Sequence, residues 1–414
     1  MKRVLVLNSG SSSIKYQLID LNRGVTAVSG LIERVGENIG ARDGRLTQHL
    51  HFDDGKETDS REALDIPDHA TGFRLMAEHL QDCGLLKDFH DLAAVGHRVV
   101  HGGERFSRAV QVNEAVLAGI RALVPLAPLH NPAAVTGLES ARDLLPGVPQ
   151  VAVFDTAFHS TLPARAYEYA LPRDLRRRHH IRRYGFHGIS CQYVSRRAAL
   201  HLERPLDELN LIVLHLGNGA SVTAIEGGRS IDTSMGMTPL EGLVMGSRSG
   251  DIDPAILTYL MAHADLSPKD VSRLLNRESG LKGLCGSNDM REVLRRREQG
   301  DAEAALALDV FAYRARKYIG AYTAALGRVD ALVFTAGIGE HASPVREAIL
   351  EGLSGLGYAL DRARNAQATG EVSEIQRDDS RARVLVVATH EEMEIARQAL
   401  ACVEGGVTVA LPER

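Results

Sequence analysis

Two short stretches, about 200 residues apart, constrain this chain more than any other feature. "VLVLNSGSSSIKYQLI" (4–19) and "LIVLHLGNGASVTAI" (211–225) share one design. Each is an apolar run, a polar residue, a turn of Gly, Ser and Asn, and a second alternating run. Such a pair suggests two related halves, each opening on a hairpin with a glycine-rich turn. Two ordinary hairpins would also carry glycine at their turns, so the turns alone leave both readings open.

The length agrees with two halves, since 414 residues exceed what one hydrophobic core usually serves. Further apolar runs read as strands: 93–100, 148–154, 209–216, 221–226, 331–336 and 383–389. Several are apolar nearly throughout, the pattern of strands covered on both faces. Between them, Leu308, Phe311, Ala312, Ala315, Ile319, Tyr322 and Leu326 recur at three- and four-residue steps, a helix that Gly327 can end. The polar stretches 41–63 and 361–381 read as surface loops or edge hairpins. The fold class is α/β with mixed sheets.

A net charge of −5 gives no push toward nucleic acid. The local exception "RRRHHIRR" (176–183) reads as a solvated or anion-facing patch. Four scattered cysteines without CxxC spacing suggest a reducing compartment and no zinc site. The start "MKRVLVLNSG" is too short for a signal core, and no run approaches the roughly 18 apolar residues of a membrane span. The expectation is a cytoplasmic protein.

Clustered small residues let backbone N–H groups and hydroxyls bind anions. Neither a Walker A loop nor a Rossmann fingerprint is present. The opening turn is therefore a phosphate-binding candidate of another kind, to which Lys15 can add a charge. Arg98 stands beside the double glycine of "GHRVVHGGERF", and Arg248 in the Ser/Gly stretch "MTPLEGLVMGSRSGDIDP". Both are read as loop arginines with little packing purpose. Asp155 follows an apolar strand, where α/β sheets place ligands. His187 lies between glycines in "RRYGFHGIS". "TAGIGEH" reads as a strand and a glycine turn leading to Pro344 and a helix, and "THEEMEIA" sets adjacent acids after a strand. His130 and His159 read as hydrogen-bonded structural histidines. The acids of "HEEME" lack the second histidine of a metalloprotease helix.

With these residues in hand, the chain resembles the acetate kinase family over essentially its whole length. The most specific segments are "NSGSSSIKY", "HRVVHGGE", "FDTAFH", "YGFHG", "HLGNGAS", "DTSMGMTPLEGLVMGSRSGDIDP" and "TAGIGE", in the family's order. The resemblance implies two duplicated domains of the actin, Hsp70 and sugar-kinase type, with mixed sheets flanked by helices and an interdomain cleft closing on a nucleotide. It puts one domain at 1–155 with 390–414, completed by the C-terminal helix, and the other at 156–389, with most of the nucleotide pocket. It implies reversible phosphoryl transfer between ATP and acetate, with Mg²⁺ (or Mn²⁺ in its place), by a homodimer binding neither nucleic acid nor membrane.

Carried over by motif, Asn8 and Glu391 are the magnesium-associated pair. Lys15, His215, Leu216, Gly217, Asn218 and Gly219 face phosphate. Asp289, Met290 and Arg291, with Gly337, Ile338, Gly339, Glu340 and His341, form the nucleoside pocket. Arg98 is the acetate-side arginine, and Val100, Leu129 and Pro239 wall the methyl group. Asp155 is the active-site acid, and His187 and Arg248 stabilise the transition state. Cys191, Met290 and His341 stand where the family favours histidine, an aromatic and asparagine. Propionate kinase would share nearly every motif. A nucleotide-switched binding protein of the Hsp70 or actin kind would lack a small-anion pocket.

Overall fold

The computed structural model describes residues 2–37, 44–51, 57–84, 86 and 88–405. The chain divides into two compact units, Met1–Ala157 with His390–Arg414, and Phe158–Thr389. Each is built on one sheet.

The first unit contains β1 (Arg3–Ser9), β2 (Ser13–Asp20), β3 (Val25–Glu33), β4 (Gly44–His51), β5 (Glu57–Leu64), β6 (Leu92–Val99), β7 (Val110–Gln111) and β8 (Gln150–Phe154), in the order β5-β4-β3-β2-β1-β6-β8-β7. The second contains β9 (Asn210–Leu216), β10 (Ala220–Glu226), β11 (Arg229–Thr233), β12 (Ala331–Thr335), β13 (Val372–Glu374) and β14 (Arg383–Val387), in the order β11-β10-β9-β12-β14-β13. Remove β4 and β5, and the two orders are one topology. An antiparallel meander opens each sheet, and its first strand then pairs in parallel with a later strand. A second parallel pairing and an antiparallel edge strand follow. The repeat in the sequence is thus a repeat of topology.

The central strands follow their composition. All five residues of β8 and of β12 are buried, as strands covered on both faces require. In β2 the alternation puts Ile14, Tyr16 and Leu18 into a core with Leu5, Leu7, Phe73 and Met76. The helix Ala302–Leu326 starts on Asp301, whose side chain accepts from the Glu303 and Ala304 backbone, and ends at Gly327 with φ of 69°.

Two expectations change. Residues 336–341 form a short helix rather than a turn, entered through Ala336 at a φ of 64°. Arg98 is the penultimate residue of β6, not a loop residue. The polar stretch 41–63, by contrast, is as expected an antiparallel edge pair, β4 with part of β5, whose connection lies outside the described residues. The stretch 361–381 holds the helix Arg362–Ala366 and edge strand β13.

Buried histidines give each unit an acid-labile point. His97 bonds Gln150 through Nε2 at 2.7 Å, and burial pushes its pKa down to about 4. His159 bonds Ser230 through Nδ1 (2.8 Å) and Phe186 O through Nε2 (2.9 Å), and burial again pushes its pKa down to about 4. Both nitrogens of His159 are thus used structurally. A depressed folded-state pKa means the unfolded chain binds more protons between pH 6.5 and 4. This stability is complete above pH 6.5 and is lost as pH falls toward 4, by about 1.4 kcal/mol per pH unit for each histidine near the middle of the window. Urea midpoints at pH 7 and pH 5 check this. His159→Gln should flatten the pH dependence of unfolding of the second unit, and an unchanged dependence would contradict the assignment.

Candidate active site

In the first unit the parallel strands β1, β6 and β8 end along one sheet edge, and the expected residues gather there. Asn8 lies one step beyond the Leu7–His97 pairing and directly opposite Lys15. Arg98 is next on β6, and Asp155 follows β8, its N–H donating to Val99 O at 3.0 Å. The Arg98 guanidinium grips the carboxylate of Asp155 with two bonds, Nε to Oδ1 at 3.1 Å and Nη2 to Oδ2 at 2.5 Å. Asp155 is 2 % exposed, so this fork is shielded from water.

The helix Glu391–Glu404 brings two more carboxylates. Its N-cap is His390, whose Nδ1 accepts from Met393 N at 3.2 Å while Nε2 contacts Thr26 Oγ1. Burial would lower the pKa of Arg98, but Asp155, Glu391 and Glu392 together hold it above its ordinary value. Burial raises the carboxyl pKa of Glu391, with Arg98 opposing and Glu392 adding to the rise. Lys15 pairs with Glu392 and keeps that carboxyl below its usual range despite burial. Val100 is half-buried just after β6, and Leu129 is exposed. His130 caps no helix through its side chain.

In the second unit, the turn Gly217–Gly219 joins β9 to β10 and is closed by Gly217 N donating to Gly219 O at 3.0 Å. His187 precedes the helix Gly188–His201 in a left-handed conformation, φ 57°, which histidine adopts more readily than most residues. Its Nδ1 lies 3.0 Å from Ser221 Oγ, and its ring stacks on His215 at 4.0 Å between centroids. His215 is fixed by Ser190 Oγ (2.8 Å), which in turn meets Thr389 Oγ1 (3.0 Å). A Cβ at Gly219 would lie 3.4 Å from both Arg248 Nη1 and His187 Nε2. The missing side chain therefore leaves a cation and an imidazole nitrogen beside bare backbone.

Arg248 differs from Arg98 in its partners. Its Nη1 donates to Pro239 O at 3.3 Å and contacts the Met245 sulfur at 3.8 Å. Among the described residues no carboxylate pairs with it, and burial lowers its pKa. A partly buried guanidinium without a counter-charge is poised for an anion.

The remaining expected residues divide. Asp289 caps the helix Met290–Glu298 and is forked by Arg291, whose hydrogen bonds hold its carboxyl below the usual range. Met290 is 3 % exposed and belongs to the core, so of these three only Asp289 and Arg291 present side chains outward. Gly337 and His341 are exposed on the helix Ala336–His341, while Ile338 is half-buried and Gly339 buried. Glu340 faces inward enough for its Oε1 to accept from Thr389 N at 3.0 Å. Asn218 is exposed, and Leu216 is buried.

Sequence reasoning missed Arg346, and it noted Glu392 only as one of the adjacent acids of "THEEMEIA", without a role. Arg346 is 1 % exposed, and burial lowers its pKa to about 10. It donates to Gly339 O, Glu340 O and both oxygens of Asn365, tying down the end of the helix Ala336–His341. Nothing in "SPVREAIL" distinguishes it from a surface arginine.

The chain matches the model of the Acetokinase family over residues 3–397. It is 52% identical over 403 residues to the acetate kinase of Syntrophobacter fumaroxidans, covering 96% of both proteins. It is 54% identical over 401 residues to that of Streptomyces griseus, covering 97% of this chain and 96% of that protein. Among solved structures it is similar to Porphyromonas gingivalis acetate kinase (TM-score 0.90, 41% identity, 97% and 100% of the two chains). It is also similar to a propionate kinase from Francisella tularensis (TM-score 0.89, 41% identity, 96% and 99%). With a family match over residues 3–397 and relatives more than 50% identical along nearly its entire length, the chain belongs to the Acetokinase family.

Proposed function

We propose that this protein transfers the γ-phosphoryl group of ATP to acetate, reversibly, giving acetyl phosphate and ADP by direct in-line displacement. The carrying observation is Arg248, a partly buried cation with no carboxylate partner among the described residues, set with His187 beside the Gly217–Gly219 turn.

Acetate needs no general base, because a carboxylic acid with a pKa of about 4 is already ionised at neutral pH. The obstacle is repulsion between the acetate anion and the polyanionic phosphate. Phosphoryl transfer is mostly positioning and charge stabilisation, and cations and preorganised donors are what this chain supplies. Arg248 and His187 face the transferring group. Arg98, oriented by Asp155, receives the carboxylate of acetate, with Val100, Leu129 and Pro239 around the methyl group. Lys15 and residues 215–219 attend the phosphates. Asp289, Arg291 and the helix Ala336–His341 attend the nucleoside.

Asn8 and Glu391 offer oxygen donors, one amide and one half-buried carboxylate. No three His, Cys, Asp or Glu side chains among the described residues form a metal cage. The amide and the carboxylate would suit magnesium, which takes one or two protein oxygen ligands and otherwise keeps waters and substrate phosphates. Bound there, it would neutralise charge on the phosphate oxygens.

ADP release measured with formate, acetate, propionate and butyrate tests the acyl assignment. One methylene is worth about 1–3 kcal/mol, so propionate should be a poorer substrate by about 10- to 100-fold in kcat/KM. Val100→Ala should narrow the gap. A wild-type preference for propionate would favour the second reading, propionate kinase.

The same reading makes the protein a cytoplasmic homodimer. In support, the apolar helix Ala255–His263 has no buried residue, with Tyr259 63 % exposed. Among the described residues no helix is long and apolar enough to cross a membrane. Light scattering should give twice the 44.9 kDa chain mass, and a monomer mass would refute the dimer.

A further inference from the structure

Arg183, Glu241 and Tyr169 belong to none of the groups assigned above, yet they are tightly joined. Arg183 ends the basic run, but unlike the exposed Arg177 and Arg178 its side chain is only 16 % exposed. Its Nη2 donates to Glu241 Oε1 at 2.6 Å, and its Nη1 donates to Ser234 O (3.1 Å) and Met235 O (3.0 Å). Tyr169 donates its hydroxyl to Glu241 Oε2 and accepts from Met237 N at 3.1 Å. Gly236 O accepts from both Tyr184 N (3.0 Å) and Gly185 N (3.2 Å). A Cβ at Gly236 would lie 1.9 Å from Glu241 Oε2 and 2.2 Å from the Tyr169 hydroxyl, so any larger residue there would push these two side chains out of this arrangement.

This clasp joins two segments that lead to reacting groups. Residues 183–185 run directly into His187. The stretch 234–241 contains Pro239, whose carbonyl receives Arg248 Nη1. A few residues on, Met245 N donates to Arg248 O at 3.1 Å. A partly buried ion pair is a poor source of stability, because desolvation offsets much of the attraction. What a carboxylate bonded at one oxygen by Arg183 and at the other by Tyr169 supplies is direction.

We propose that Arg183, Glu241 and Tyr169 are positioning residues for phosphoryl transfer, fixing the spacing between His187 and Arg248. The proposal rests on the reading that those two groups face the transferring phosphoryl.

The test is kcat for Glu241→Gln and Tyr169→Phe, each alone and combined with Arg248→Ala, with urea midpoints for every variant. A misplacement of about 1 Å can cost about 10²-fold. Glu241→Gln should therefore lower kcat by about 10- to 100-fold, and Tyr169→Phe by about 3- to 10-fold, with KM for ATP within about 3-fold. In the Arg248→Ala background each should lower kcat by less than about 2-fold, because the group being positioned is gone. Equal losses in both backgrounds, or a folded Glu241→Gln with normal kcat, would overturn the proposal. Should Glu241→Gln fail to fold, the Tyr169→Phe comparison decides alone. If Arg248→Ala itself keeps normal kcat, the reading of Arg248 fails and the clasp proposal with it. If Arg248→Ala is impaired and the clasp variants are not, the proposal alone fails.

Discussion

Arg248→Ala is expected to lower kcat by about 10³-fold or more while the protein stays folded, since one well-placed arginine is worth about 10³–10⁵ in phosphoryl transfer. The side chain is held by a carbonyl and a sulfur, so its removal breaks no ion pair and leaves no buried carboxylate unpaired. Arg248→Lys should recover only part of the loss, because an ammonium lacks the planar fork. Steady-state kinetics with a matching urea midpoint read this out. A folded Arg248→Ala variant with near-normal kcat would remove Arg248 from the mechanism.

Asp155→Asn is expected to cost about 10²-fold or more in kcat and to shift the magnesium dependence. The two-bond grip on Arg98 and the 2 % exposure make Asp155 the group that orients Arg98, the proposed acetate-side arginine. Asparagine keeps the shape but loses the charge, leaving Arg98 to swing toward Glu391 and Glu392, which also act on it. An ionised acetate has no proton to give up, so raising the pH should not restore the variant. If it did, Asp155 would be a general base and the present role would be wrong.

The sheets were legible because their central strands are largely apolar and their ends are marked by glycine or a polar residue. The two runs within 4–19 became strands β1 and β2, and those at 209–216 and 221–226 became strands within a residue or so of their expected limits. β3, "VTAVSGLIE", was not foreseen, because serine and glycine interrupt its apolar alternation and its fit is set by cross-strand neighbours. The turn expected at "GIG" became a helix for a similar reason. Its end is stabilised by Arg346, several residues further along the chain, which a local reading cannot see. The glycine-loop argument marked Arg248 for a reason that holds in the structure. The same argument marked Arg98 although that residue sits on a strand, so its claim now rests on Asp155 and the sheet edge. The clasp of Arg183, Glu241 and Tyr169 had no sequence signal, since its members lie up to 72 residues apart and each looks like a surface residue in isolation.

The central claim is that the γ-phosphoryl group passes to the acid. The most direct measurement is to incubate the protein with ATP, Mg²⁺ and acetate in the presence of hydroxylamine, and to quantify ADP and acyl hydroxamate together. The account predicts acetate-dependent ADP release with an equal amount of acetyl hydroxamate, and neither product without acetate. ATP turnover that is independent of acetate, or ADP formed without hydroxamate, would contradict it.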